Sequence, residues 1–210
     1  MSTSATAKAI QTTSSVVSAL GLKAAGFRRQ GNHLHRTVDG IIHVVNFQAN
    51  RWGTATSGSF TVNLAVTSPF LYATWTGVPL PSNPASAVFP WASRLGYLMP
   101  VHRDYWWNVD GKTNVDHLSR EAAGAILEFG LPLLDSLRGV EVVLAYLRAG
   151  NGWRELTKAQ APVLHAILAA EIGELGEARK LLNAAYADAG SSLFAGTVRQ
   201  IADRLGVPVA

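Results

Sequence analysis

The stretch that decides the fold is GFRRQGNHLHRTVDGIIHVVNFQANRWGTATSGSFTVNLAV, Gly26 to Val66. Its centre, Asp39-Gly40, is a strong two-residue hairpin signal, because a type I′ turn wants positive φ at both central positions. On either side apolar and polar residues alternate with period 2, the pattern of half-buried strands. The turn sets Val38 opposite Ile41, Arg36 opposite His43 and Leu34 opposite Val45. Opposed residues share a face. A loop through Asn50-Arg51-Trp52-Gly53 and a run of small residues to Ser59 lead to a third strand, Phe60–Thr67. One face then collects Leu34, Val38, Ile41, Val45, Phe47, Phe60, Val62, Leu64 and Val66, the expected core face. The other collects His33, His35, Thr37, Ile42, Val44, Asn46 and Gln48, with Thr61, Asn63, Ala65 and Thr67. His43, opposite Arg36, reads as a surface or edge residue.

Upstream, Ala5 to Ala25 reads as a helix, with an apolar stripe through Val16, Val17 and Leu20. Gly26 falls where a helix C-cap glycine is expected. Downstream, the segment from Pro69 to Pro90 contains Pro79, Pro81 and Pro84. Proline lacks the donor a sheet ladder needs, so this segment is a long excursion and not a central strand. Long excursions in compact domains are more often functional than idle. Arg94 to Met99 and Tyr105 to Val109 read as two further strands.

From Asn114 onward the pattern is helical, over about 115–135, 138–149, 157–172, 175–188 and 192–205. Asn114 fits an N-cap, and Thr157-x-x-Gln160 a capping box. The stretch LHAILAAEIGELGEARKLLNAAYADAG resembles one tetratricopeptide-like helix pair. Repeat arrays need roughly three units to bury a continuous core, so a single helical hairpin packed on the rest is the reading. The expected fold is α+β. An N-terminal helix and an antiparallel sheet of four or five strands occupy residues 1–112, and a helical region packed on or following them occupies 113–210.

Composition narrows the function classes. The 210 residues are 48% apolar and 15% charged, enough for a sizeable core. There is no cysteine, which excludes disulfides, thiolate metal sites and cysteine nucleophiles. No apolar run approaches the ~18 residues of a membrane helix. The start, MSTSATAKAIQTTSSVVSALGL, lacks the basic residues followed by an apolar block of a secretion signal, so a cytoplasmic location is expected. Charge is uneven. Met1 to Asp110 carries eight Lys and Arg against three Asp and Glu, a net of +5, whereas Gly111 to Ala210 is at −1. A basic half attracts anions, but no basic run exceeds Arg28-Arg29, and nucleic acid is not the expected partner.

The polar face of the strands is the candidate site. If the fourth strand turns Leu95, Tyr97 and Met99 inward, Arg94 joins Asn46, Gln48 and Asn63 in one stripe. Outer sheet faces are routinely polar, but they favour Lys, Glu and Thr; amides with one arginine suit a face that binds something or is covered by a polar loop. His33-x-His35 would present two imidazoles on one face. No carboxylate lies nearby in sequence, so no metal and no cofactor are expected. Asp104 and Asp110 fall at opposite ends of a short strand, too far apart for a glycosidase pair. There is no G-x-S-x-G elbow, P-loop or G-x-G-x-x-G. Trp52, Trp75, Trp91, Trp106 and Trp107 are expected mainly to pack. Alternation should bury one ring of the Trp106-Trp107 pair and turn the other toward the polar face or the Pro-rich segment.

The ordered motifs GFRRQGNHLHR, VVNFQANRWG, SFTVNLAV, RLG and DYWWNVD resemble a bacterial family known as domain of unknown function four-three-zero-four. The resemblance spans roughly Leu20 to Leu134 and leaves the tetratricopeptide-like tail outside. It implies no catalytic residues. It does imply that Asn46, Gln48, Arg51, Trp52, Asn63, Arg94 and Trp107 belong to the family pattern. These are the candidate ligand-binding residues. The expected function is a non-enzymatic binding or protein-interaction module that takes a small anionic ligand or a partner protein on the polar face. The alternative is a hydrolase or nucleic-acid-processing enzyme with Arg94 as an anion clamp and a histidine or Asp104 as base.

Overall fold

The computed structural model describes residues 4–84, 87, 89, 92–150 and 159–209. Helix α1, Ala5–Val17, starts where the Ser4 hydroxyl accepts from the Ala7 N–H, and it runs on through a wider π-type turn, Ser18–Leu22. Gly26, at φ 87°, ends the helical segment and turns the chain into the sheet. Strands β1 (Arg28–Gln30), β2 (His33–Val38), β3 (Ile41–Ala49) and β4 (Gly58–Thr67) follow as an antiparallel meander. Asp39 and Gly40 take φ 49° and 79°, the two positive values a tight hairpin turn requires. The register is the one that turn dictates: Val38 faces Ile41, Arg36 faces His43, Leu34 faces Val45.

Beyond β4 the structure departs from the sequence expectations. The segment expected to be an extended excursion from Pro69 opens with a helix, α2, Pro69–Thr76. Pro69 occupies the first turn, where its missing N–H costs nothing, and Ser68 caps it by accepting from the Leu71 N–H. The expected strand Arg94–Met99 is instead β5, Ala92–Arg94, followed by a 3₁₀ turn, Leu95–Tyr97. Gly96 is the reason the chain turns there. A Cβ on it would meet the Arg103 carbonyl oxygen at 2.3 Å, so only glycine lets the two backbone segments approach. The last strand, β6, is shorter than expected, Trp107–Val109. β5 and β6 pair with different parts of β4, at Asn63–Ala65 and at Gly58–Phe60. All pairings are antiparallel, and the sheet has six strands.

The helical region begins with α3, Val115–Ala125, capped by the Asn114 side chain accepting from the His117 N–H. It continues through a π-type turn into α4, Leu131–Ser136. Helices α5 (Val140–Arg148), α6 (Gln160–Glu171), α7 (Leu175–Ala189) and α8 (Leu193–Arg204) complete the chain. The Thr157 end of the expected capping box lies outside the described residues. α1 and α3 lie together on the core face. Ala9, Ile10, Val17, Leu118, Ala122 and Ile126 pack with Leu34, Val45, Phe47, Phe60, Val62 and Leu64. The buried cluster is continuous from Ala9 to Val207, so the sheet and the later helices share one core.

An arginine and a histidine lie buried on the core face. Arg36 and His43 are 6% and 0% exposed, which corrects the surface placement expected for His43. They are tolerated because every polar group finds a partner. Arg36 Nε donates to His43 Nδ1 at 3.0 Å, one Nη donates to the Ala25 carbonyl at 2.9 Å, and the other to Asp135 at 2.7 Å. The guanidinium also lies over the Phe27 ring, 4.6 Å from its centroid. Since Nδ1 accepts, His43 carries its proton on Nε2, which donates to the Leu137 carbonyl at 2.8 Å. Burial, with the adjacent Arg36 charge, pushes the His43 imidazole down to about 4, so it is neutral here.

Candidate functional site

The outer face of the sheet is built in two halves. At one end Ile42, Val44 and Ala65 are buried beneath Leu80, Phe89 and Ala92, a second and smaller apolar cluster. Leu80 and Phe89 of the Pro-rich segment therefore cover this end of the face. At the other end the amides begin. Between the two lies a recess of about 280 Å³, with Asn46, Gln48 and Asn63 on one side and Ala65, Ala87, Phe89 and Ala92 on the other.

Strand pairing brings the amides together. Asn46 is opposite Asn63, and Gln48 is opposite Thr61 one step along. Both strands place these side chains outward because their neighbours Val45, Phe47, Val62 and Leu64 go inward. The Asn63 amide NH₂ donates to Gln48 Oε1 at 3.0 Å and to Asn46 Oδ1 at 3.4 Å. The Asn46 NH₂ donates to His33 Nδ1 at 2.8 Å, which extends the row to β2. Partial burial lowers the His33 imidazole from its ordinary value, so it is neutral and the row is uncharged.

Arg94 lands beside this row, opposite Asn63, as alternation predicts. Its charge is already matched. Nη1 donates to both Asp104 oxygens at 2.7 Å, and the guanidinium lies 4.9 Å from the centroid of the Trp106 ring. The pair is partly open to water, with side chains 25% and 41% exposed. Asp104, the candidate base, neutralises Arg94.

The remaining candidates divide. Trp107 is not on the polar face. It is 3% exposed, stacked on Phe60 at 5.6 Å between centroids, and its indole N–H donates to Glu121. Its neighbour Trp106 takes the outward position, so the pair splits as alternation requires. Arg51 and Trp52 lie in the β3–β4 loop, and Trp52 is 82% exposed. That loop is held by Asn50, whose Oδ1 accepts from the Trp52 N–H, and by a Thr54–Ser57 turn. The sequence reading placed histidines near one end of this row, where His33 lies, but it missed the apolar wall from Ala87, Phe89 and Ala92. Nothing local in the sequence marks Phe89 as a lid for Val44.

The other carboxylate considered for catalysis, Asp110, accepts from the Lys112 N–H and the Thr113 hydroxyl. It is a turn residue. Among the described residues no three His, Asp or Glu side chains cluster as metal ligands. No helix of the described residues is long and apolar enough to cross a membrane.

Fold and recess together define an α+β protein whose helices cover one face of an antiparallel sheet and whose opposite face carries an uncharged polar row. The family described as "Domain of unknown function (DUF4304)" matches residues 19–136, more than half of the chain, and the protein belongs to that family. The match runs from the end of the first helical segment to the end of α4, and so contains the whole sheet, the recess and Asp135. No curated protein and no solved structure matches the chain.

Proposed function

We propose that this protein is a non-enzymatic binding module that takes a ligand or a segment of a partner protein in the outer-face recess. The observation that carries this reading is the joining of three amides on adjacent strands to an apolar wall in one recess. A concave, partly apolar site with a few convergent polar groups is the usual form of a small-molecule or side-chain pocket. The alternative, a hydrolase or nucleic-acid-processing enzyme, asks Arg94 to clamp an anion. Asp104 already holds that guanidinium, which puts the enzyme reading second. For the same reason an anionic ligand is less favoured than a neutral one.

A library of small neutral and anionic compounds, screened by NMR against the full chain, tests this. Compounds that bind should perturb the side-chain amide resonances of Asn46, Gln48 and Asn63, and Asn63→Leu should abolish their binding. Binding that is indifferent to Asn63→Leu and Gln48→Leu would remove the recess as the site.

A further inference from the structure

The open valences of the amide row specify a ligand chemistry, and this inference rests on the recess being the binding site. Both N–H bonds of the Asn63 amide are used within the row, one on Gln48 and one on Asn46. The Asn46 NH₂ is directed to His33, and the Asn46 oxygen accepts from Asn63. Among the described residues two groups have no protein partner: the Asn63 oxygen, an acceptor, and the Gln48 NH₂, a donor with two hydrogens. They belong to neighbouring strands, across the Asn63 to Gln48 hydrogen bond.

We propose that the recess recognises a neutral primary carboxamide on a short apolar stem, such as an asparagine or glutamine side chain or a free small amide. Such a group offers one acceptor and two donors in a plane. Its oxygen accepts from Gln48 and its NH₂ donates to Asn63, which completes the row. The stem then lies against Phe89, Ala87 and Ala92. A carboxylate of the same shape has no hydrogen to give, so it sets an oxygen against the Asn63 oxygen. An ammonium has no lone pair for Gln48. The surroundings offer neither ion compensation: Arg94 is matched by Asp104, and His33 is neutral. The preference thus comes from matching the open Gln48 donor and the open Asn63 acceptor with one planar group.

The experiment is a titration of the isotope-labelled full chain with propionamide, propionate and propylammonium at matched concentrations. The readout is the side-chain amide resonances of Gln48, Asn63 and Asn46. Propionamide should shift them saturably, with propionate and propylammonium roughly threefold weaker or more, the net effect of one hydrogen bond exchanged with water. Gln48→Glu replaces the donor by acceptors and should remove the propionamide response while the spectrum stays dispersed. N-acetylglutamine methylamide against propionamide then separates a protein side chain from a free amide as the source: tighter binding of the former assigns a side chain, and its failure to bind where propionamide binds assigns a free amide. Propionate binding as well as propionamide would overturn the carboxamide assignment while leaving the recess a binding site. The same holds if a compound of another class binds the recess and propionamide does not. If no compound of any class perturbs these resonances, the proposed function fails first.

Discussion

Arg36 and His43 face each other across the β2–β3 hairpin, and the guanidinium Nε donates to the imidazole Nδ1 at 3.0 Å on the buried side of the sheet. A cation and an imidazole at that distance leave no room for a second positive charge. The hairpin is thereby coupled to the end of α4, because Arg36 also holds Asp135 and His43 also holds the Leu137 carbonyl.

Stability should fall with acid in a defined window. Free imidazole titrates near 6.5, and burial with the Arg36 charge moves His43 to about 4. Between those values the unfolded chain binds a proton that the folded chain refuses. Stability is therefore whole above the unfolded value and declines as pH drops toward the folded one. The total loss is roughly 3 kcal/mol if the full shift is realised. Asp135 adds a separate loss in stronger acid, below the ordinary carboxyl value of 3.8. Burial raises its carboxyl, but hydrogen bonds from Arg138 and Arg36 outweigh this and hold it low, so protonating it also favours unfolding. Urea midpoints measured from about pH 7 to pH 4.5 should drop steadily. His43→Leu, though less stable throughout, should lose most of that slope.

Arg36→Met should destabilise the fold by about 3 kcal/mol, within the range for breaking a buried charged network. The substitution keeps much of the stem's packing but strands His43 Nδ1 and the Ala25 carbonyl. Chemical denaturation of the purified variant measures it. A loss within error of zero would mean that water replaces the guanidinium without cost.

Two glycines should separate conformational from steric cost. At Gly40 a Cβ would meet nothing within 4 Å, so Gly40→Val should cost only the strain of positive φ, about 1–2 kcal/mol. At Gly96 a Cβ would lie 2.3 Å from the Arg103 oxygen and 2.7 Å from the Tyr105 backbone nitrogen. Gly96→Ala should be the more damaging despite being the smaller change, with a loss of several kcal/mol or failure to accumulate as folded protein. Thermal melts of the two variants side by side decide the order.

Arg94→Ala should change stability by no more than about 1 kcal/mol. The Arg94–Asp104 pair is partly exposed, and such pairs contribute little net stability and weaken with salt. If Arg94→Ala and Asp104→Ala each unfold the protein, the pair is structural at its root and the recess loses its neutral border.

Much of the fold was legible in local pattern. The Asp39-Gly40 turn set the register, alternation divided the faces, and Asn114 marked the start of α3, because turn chemistry and capping act within a few residues. Alternation also placed Arg94 on the face of Asn63, although the strand it assumed, Arg94–Met99, is β5 ending at Arg94. The amides that line the recess followed from the same register. What was not legible was what lies over each face. Pro69 reads as the start of a long excursion, yet at a helix's first turn proline is favoured, and only the Ser68 cap and the buried Leu71 and Tyr72 made that helix.

The sequence by itself determined the hairpin, its register and the parity of every side chain along β2, β3 and β4, because these depend on bonds and clashes between near neighbours. It could not decide which polar residues are buried. By parity Arg36 and His43 belong with Leu34 and Val45, but their chemistry argued for water. Only the tertiary structure settles the matter, by bringing Asp135 and Leu137 from about a hundred residues away to satisfy them. Trp107 and Phe89 follow the same rule: the one is buried against Phe60, and the other forms the wall of the recess. A polar or aromatic side chain goes where its partners are, and those partners were set by packing between distant segments that no local period records.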